Sequence, residues 1–518
     1  MKKFFSKIQD KIDGSKPSYD AEIPPTNKPL SGRQYYQFRK QRGVNLGAWF
    51  SLEAWLTPSL FEKAKDPKDS EHDLVSALST DEARALLENH WDNFINDGDW
   101  QWMASHGINS VRLPVGYFHV LAGFQEEKVR ALLSGTDFEK YADVYQGAWP
   151  RIQNAIETAR KHNIGVLLDL HSAPGCQNAD GHSGMSTGKV KMWEGFHSGK
   201  NQRKTTEILV ALASALGEHE NVIGLELLNE PQNHSDLHPW YEKTIHEIRT
   251  SASPAGRTLP LYIGDGWATD HYADLVGKKS AADNFLVLDH HYYRAFTNED
   301  HNTAAEAHAQ AIDPDANGHC AGNLANQASK CNGSIIIGEW SGALNPNSFQ
   351  KSQIQSKLQA RTMFSQAEWK AFERITAGYY YWTLKKEGGP DPGWCLYTAI
   401  EKGSMPPSLD PLQSRRPNPD ALAGQLDNAL GPRLQGHVDH WSKQGGEHEH
   451  WRFEEGFRLA WSDAGEFARQ GTEVGLAGQL TMLRGAAHRQ EKGDSPVAWE
   501  FDHGYSQGLE AYKQMMYS

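Results

Sequence analysis

The sequence contains no apolar run approaching the roughly 20 residues that span a bilayer, so no spanning helix is expected. Only four cysteines occur, Cys176, Cys320, Cys331 and Cys395, and none forms a CxxC pair, which argues against a structural zinc site built on thiols. No GxGxxG follows a strand-like run, so a dinucleotide-binding sheet has no support. Positive charge is also short: the net charge is −13 and the pI about 6.0. A nucleic-acid backbone is held by clustered Lys and Arg, so nucleic acid is not an expected partner. The opening segment MKKFFSKIQDKIDG lacks the roughly 7–15-residue apolar core of a secretory signal. The expectation is an intracellular, cytoplasmic chain with reduced thiols; Cys320 and Cys331 would pair only after export by another route. Phe4, Phe5, Ile8 and Ile12 recur at helical spacing opposite lysines, the pattern of a short docking helix or a membrane-surface helix.

What the chain does have is length, 518 residues, and 17 tryptophans. Aromatic faces stack on the C–H faces of sugars, although most of these Trp are expected in the core. Residues 1–34 read as a polar arm. From about 42, eight strand-like runs alternate with helical patterns: 42–46, 110–114, 165–171, 222–231, 260–267, 285–293, 334–340 and 377–384. Most are continuously apolar, as strands covered on both faces are. Helical spacing appears over 85–107, 149–163, 205–219 and 240–252. Eight strand–helix units predict a (β/α)8 barrel over 35–403, an α/β fold; a doubly wound open sheet is the alternative. Residues 404–420 are rich in Pro and Ser and read as a linker or wrapping segment, and helices follow to 518. There Phe453, Phe457, Ala460 and Trp461 predict an amphipathic helix packed on the barrel. Glu447, His448, Glu449 and His450 resemble a metal tract, but are expected to form a solvated helix start.

Barrel enzymes place catalytic groups at the C-terminal ends of strands. Those ends carry Arg112, His171, Asn229, Glu230, His291, Tyr293, Glu339 and Trp382. Each alone has a structural explanation; together they describe a polar mouth. Glu230 and Glu339 each close an apolar run, where a carboxyl serves packing badly and chemistry well. Paired carboxylates suit glycoside hydrolysis: one protonates the leaving oxygen, and the other attacks the sugar or activates water. Asn229 is placed to hold a sugar 2-hydroxyl and Tyr293 to aim a carboxylate. Arg112, His171 and His291 are placed to tune and orient, and Trp382 to floor a pyranose ring.

RGVNLGAWFSLEAWLTPSLF (42–61), GINSVRLPVGYF (107–118), LLDLHSAPGCQN (167–178), LELLNEP (225–231), LDHHYYRAF (288–296), IIIGEWSGAL (335–344) and YYYWTLK (379–385) resemble glycoside hydrolase family 5, in its fungal exo-β-1,3-glucanase group. The resemblance covers about 40–400. It implies a retaining mechanism with Glu230 as acid/base and Glu339 as nucleophile, no metal and no cofactor. It implies Arg112, His171, Asn229, His291, Tyr293 and Trp382 as the surrounding set, with Glu53 on a hydroxyl of the first sugar. Two registers fit LDHHYYRAF; matching Phe296 selects His291 and Tyr293 over His290 and Tyr292. The implied substrate is a β-glucan oligosaccharide or β-glucoside. The chain departs from the group at NADGHSG (178–184), which holds no Phe or Trp. There Asp180 is the candidate replacement for an acid, while Phe296 keeps one wall of an aromatic clamp. The C-terminal hundred or so residues are extra. Three readings compete with a glucanase: a β-glucosidase or diglycosidase acting on small or lipid glucosides, a catalytically silent carbohydrate-binding barrel, and a metal-dependent hydrolase using Asp169, His171, His290 and His291.

Overall fold

The computed structural model describes residues 21–279 and 281–518, so the segment with Phe4, Phe5, Ile8 and Ile12 lies outside the described residues. Eight parallel strands close into a barrel in chain order. They are β1 Gln41–Asn45, β2 Ser110–Gly116, β3 Gly165–Ser172, β4 Val222–Glu226, β5 Leu261–Gly264, β6 Leu286–Arg294, β7 Ile335–Leu344 and β8 Gly378–Tyr381. The seam between β1 and β8 pairs Gln41 with Gly378 and Val44 with Tyr381. Each strand faces the barrel interior on one side and a helix layer on the other. Alternation is therefore absent, and the runs read as continuously apolar. Helices Ala148–Lys161, Ser198–Leu216 and Leu237–Ser251 fall where the spacing places them.

The stretch 85–107 is not one helix. Helix Thr80–Asn93 stops, and helix Asp97–Ser105 starts anew. Asn96 explains the break. Its Oδ1 accepts from the N–H groups of Gly98 (2.9 Å) and Asp99 (3.3 Å), and Asp99 Oδ2 accepts from the Asn96 N–H (2.8 Å). This capping box satisfies donors that a continuous helix would have used differently.

The C-terminal region covers the end of the barrel where the strands begin. Leu167, Ile223, Tyr262, Val287, Ile336 and Tyr380 share a buried cluster with Phe38, Phe453, Phe457, Trp461 and Phe501. Inside the barrel Gln41 bridges two tyrosines, donating through Nε2 to Tyr262 Oη and accepting from Tyr380 Oη, both at 2.8 Å. Helices His450–Arg469 and Trp499–Tyr517 approach so closely that a Cβ on Gly504 would lie 2.0 Å from the Phe453 carbonyl oxygen, and one on Gly456 2.2 Å from that of Phe501. Glycine is required at both crossings.

The boundaries also shift. Helix Gly32–Phe38, capped by Ser31, runs across the arm boundary expected at 34/35. Residues from 404 do not form a free linker: Met405, Leu409 and Leu412 are buried, and the Leu409 N–H donates to the His106 carbonyl at 2.9 Å. Arg42, at the start of β1, ties the pieces together. Its guanidinium meets Glu373 at 2.6 Å, Glu473 at 3.0 Å and Asp410 at 3.7 Å, all out of solvent. The four cysteines are free thiols, including the pair Cys320 and Cys331. Among the described residues no helix is long and apolar enough to cross a membrane.

Candidate active site

The strand ends meet around one buried arginine. Arg112 on β2 has no solvent exposure. Its Nε and Nη2 donate to Glu226 at 2.6 and 2.9 Å, its Nη1 to Glu339 Oε1 at 2.8 Å and Asn45 Oδ1 at 3.1 Å, and its Nη2 to Asn229 Oδ1 at 2.8 Å. Asp169 lies 3.0 Å away. Burial alone would lower the Arg112 pKa, but Asp169, Glu226 and Glu339 hold it well above the ordinary arginine value. The acids show the opposite strain. Burial drives Asp169 well above the usual carboxylate range and Glu226 up to about 7, even against the charge of Arg112.

Glu339 and His291 are direct partners across the β6–β7 ladder, just after a register shift at His290. That shift settles which aromatic residues face inward. His291 Nδ1 bonds Glu230 Oε1 at 2.8 Å and stands 3.6 Å from Glu339 Oε2. Tyr293 Oη donates to Glu339 Oε2 at 2.8 Å. His290 instead bonds Asp265 at 2.7 Å, and Tyr292 packs on Phe372. Asp169, His171, His290 and His291 therefore do not converge, and the metal-dependent reading loses its ligand set. His171 bonds Asp169 through Nδ1 at 2.6 Å and lies parallel to Trp382, 5.9 Å between rings.

β4 ends at Glu226, four residues short of Glu230. Glu230 has a φ of +40°, a left-handed conformation that costs a non-glycine residue about 1–3 kcal/mol. Neighbours hold it there: Asn178 Nδ2 donates to the Glu230 carbonyl (3.0 Å) and Gln177 Nε2 to the Asn229 carbonyl (3.1 Å). The turn aims Glu230 at His291 and Glu339. One side-chain atom from each of the three lies within 4.8 Å of the others. The Asn229 Nδ2 donor is buried in the same place without a protein partner.

Protons are shared across this trio. Burial raises the Glu230 carboxyl, but the hydrogen bond and charge of His291, with His182 and Arg112, outweigh it and bring it down to about 2. Burial would lower His291, yet Glu339, Asp289 and Glu230 hold it well above 6.5. Burial and the Glu230 charge leave Glu339 raised, against His291, Arg112 and Tyr293. These directions favour a charged His291 beside an ionised Glu230, one hydrogen bond away.

Glu53 lies at the mouth, where Trp55 Nε1 donates to its Oε2 at 2.6 Å. Burial pushes it up to about 7. Asp180 is exposed on the rim. From there a carboxylate oxygen of Asp180 comes within 4.8 Å of Glu230 and His182, and His182 reaches further in, 3.6 Å from Glu230 Oε2 and bonded to Asn178 at 3.0 Å. Phe296 is 66% exposed, and Trp394 stands 6.1 Å from it. With Tyr293 and Trp55, these rings form an aromatic rim beside the acidic pocket. Glu226, Asp289, His182, Trp55 and Trp394 escape the strand-end reading. A signal existed for Glu226, a carboxyl inside an apolar run; the two tryptophans reach the rim from loops and gave none.

Residues 78–388 match the model of Cellulase (glycosyl hydrolase family 5), and residues 423–516 match that of the Glucan 1,3-beta-glucosidase 3 C-terminal domain. Glucan 1,3-beta-glucosidase 3 of Schizosaccharomyces pombe is 31% identical over 479 residues, 92% of this chain and 95% of that protein. An uncharacterized glycosyl hydrolase of Saccharomyces cerevisiae is 30% identical over 511 residues, 95% of this chain and 94% of that one. Probable glucan 1,3-beta-glucosidase A of Emericella nidulans is 32% identical over 71% of this chain and 91% of its own length. Among solved structures, rutinosidase from Aspergillus niger superposes with a TM-score of 0.52 at 18% identity, covering 71% of this chain and 98% of that one, which is a likeness of fold.

Proposed function

The chain belongs to glycosyl hydrolase family 5, and from that premise we propose that it releases glucose from the non-reducing ends of β-1,3-glucan oligosaccharides by double displacement. Glu339 is the nucleophile and Glu230 the acid/base. The linkage is taken from relatives named glucan 1,3-beta-glucosidase, which match along most of the chain. The observation that carries the mechanism is the closeness of Glu230, His291 and Glu339, whose side-chain atoms approach within 4.8 Å. Retaining enzymes hold their carboxyl groups about 5–5.5 Å apart, whereas inverting enzymes leave about 6.5–9.5 Å for a water.

In the first step Glu339 forms a bond to the anomeric carbon while the bond to the leaving oxygen breaks. His291 passes its proton to Glu230 across the 2.8 Å hydrogen bond, and the leaving oxygen takes that proton from Glu230. Arg112 Nη1 and Tyr293 Oη keep the two Glu339 oxygens fixed, one each. The unpaired Asn229 Nδ2 suits the 2-hydroxyl of the sugar, a contact that strengthens in the transition state. In the second step Glu230 takes a proton from water, the water oxygen attacks the same carbon, and the ester to Glu339 breaks. Glu53 is placed for a hydroxyl of the first sugar, and Phe296 with Trp394 for the face of the second.

A panel of laminari-oligosaccharides, gentiobiose, cellobiose and aryl or lipid glucosides, with product anomers followed by NMR, tests this reading. Laminaribiose and laminaritriose should yield β-glucose first. Initial α-glucose would refute retention, and activity confined to small glucosides would replace the glucan reading by the β-glucosidase one.

The pH profile offers a separate check. In the free enzyme the alkaline limb of kcat/KM reports loss of the site's acid proton. That proton rests on His291, whose pKa stands well above 6.5. In His291→Asn, Glu230 must hold the proton alone, with burial raising it from the ordinary carboxylate value. The alkaline limb should therefore move to lower pH, and kcat should fall by about 10²–10⁴. An unmoved limb would remove His291 from the proton path.

A further inference from the structure

The His/Glu tract expected to lie solvated at a helix start does not. Of the four only Glu447 is exposed; His448 and His450 turn toward Glu500, which is fully buried, while Glu449 meets it through its backbone N–H and gives its carboxylate to Arg452 and Ser495. Glu500 comes from the first turn of helix Trp499–Tyr517. Its Oε2 lies 2.9 Å from His450 Nδ1 and 2.9 Å from Nε2 of His437, on helix Leu426–Trp441. Its Oε1 accepts from the Glu449 N–H at 2.9 Å and lies 3.4 Å from His448 Nδ1. One ligand atom each from His437, His450 and Glu500 falls within a 4.8 Å group.

A hydrogen-bond network explains part of this arrangement. Glu500 accepts from two imidazoles and a backbone N–H. It does not explain His448. Both of its ring nitrogens are shielded from solvent and neither makes a hydrogen bond, although Nδ1 faces Glu500. Its ring lies parallel to that of His450, 5.1 Å away, with one nitrogen turned to the Glu500 carboxylate. Burying unpaired imidazole nitrogens is costly, and a cation between them and Glu500 would remove that cost.

We propose that His437, His448, His450 and Glu500 bind one zinc-class divalent cation, which clamps three helices of the C-terminal extension far in sequence from the catalytic carboxylates. Zinc bonds of about 2.0–2.2 Å in a tetrahedron put ligand atoms about 3.4 Å apart. His437 Nε2 and His450 Nδ1, each 2.9 Å from Glu500 Oε2, lie with it in one 4.8 Å group and have only to open slightly. His448 Nδ1, 3.4 Å from Oε1, lies outside that group and closes the shell by turning toward it. Three imidazoles and one carboxylate select zinc or its first-row neighbours over calcium and magnesium, which prefer all-oxygen shells. Such a ligand set also needs an outer partner to fix a tautomer. His503 provides one, with Nδ1 3.2 Å from His437 Nδ1. The Nε2 proton that His437 shares with Glu500 is the one the cation replaces.

The full chain, stripped with EDTA, given zinc and passed through a desalting column, should retain one zinc by elemental analysis and melt several degrees higher than the stripped form. Cobalt loaded in its place should give the visible absorption of a tetrahedral site. His448→Gln with His450→Gln should weaken zinc binding by at least ~100-fold, beyond the 10–100-fold that an outer partner is worth. Glu230→Gln, which alters two of the His/carboxylate groups at the barrel mouth, should leave it unchanged. If wild-type chain keeps no zinc and shows no cobalt spectrum, the proposal is wrong, whatever the variants do. It is equally wrong if the metal is lost in Glu230→Gln and kept in the histidine pair variant.

Discussion

Glu339→Ala should hydrolyse an aryl β-glucoside about 10⁵–10⁶-fold more slowly than the wild type, the scale set by removing the nucleophile from a covalent mechanism. Glu230→Ala should lose less on the same substrate, about 10²–10⁴-fold, because an activated leaving group needs little protonation. Azide then separates the roles. In Glu230→Ala the glycosyl ester to Glu339 still forms, and azide attacks the carbon as that bond breaks. The product is the β-glucosyl azide, and turnover rises with azide. In Glu339→Ala the ester never forms, so azide attacks from the vacated side and only the α-azide is accessible. NMR of the two azides is decisive. An exchange of anomers between the variants would exchange the assignments, and near-normal turnover in Glu339→Ala would end the mechanism. The geometry behind this expectation is asymmetric. Glu339 is gripped at both oxygens by Arg112 and Tyr293, as a group that must aim should be. Glu230 keeps one oxygen on His291 and has the other 3.6 Å from His182, as a group that must exchange protons should.

The second large effect concerns stability. Arg112→Met should destabilise the barrel by about 3–5 kcal/mol, the usual cost of removing one partner from a buried ion pair. Arg112 sits between Glu226, Asp169 and Glu339, and Asp289 is 3.9 Å away. Removing the guanidinium leaves these acids facing one another out of water. They would have to bind protons to remain buried, so the loss should grow as pH rises through the raised pKa values of Glu226 and Asp169. The sign follows from linkage. A carboxyl raised in the folded state binds more protons folded than unfolded, so higher pH favours unfolding. Adding Glu226→Gln should recover part of the loss, since Glu226 takes two of the five hydrogen bonds Arg112 donates in this site. Thermal melts between pH 5 and pH 8 test this. A single variant as stable as wild type at pH 8 would show that the acids are already neutral with Arg112 in place.

Much of this was legible from residues alone, for identifiable reasons. Strands covered on both faces must be apolar throughout, so all eight runs stood out and polar residues at their ends stood out against them. The same logic reaches Glu226, four residues before Glu230 in the run 222–231. Other features depend on tertiary placement. The break at Asn96 turns on a side chain that hydrogen-bonds forward two and three residues, inside an otherwise sound helical period. His182 and Trp394 arrive at the mouth because loops fold over it, and local spacing carries no trace of that. The 447–450 tract does begin a helix, at His450, but four polar residues in a row carry no trace of Glu500, some fifty positions later, which draws both histidines toward it.

Arg42 has one more consequence. It belongs to the first strand of the barrel, yet two of its three carboxylate partners, Asp410 and Glu473, come from the chain beyond the last strand. A protein cut where composition changes, near 404, would leave Arg42 with Glu373 alone and an apolar barrel end open to water. The barrel and the chain beyond it therefore share one electrostatic clasp at the end opposite the catalytic mouth, so a change in either piece at Arg42, Asp410 or Glu473 is felt by both.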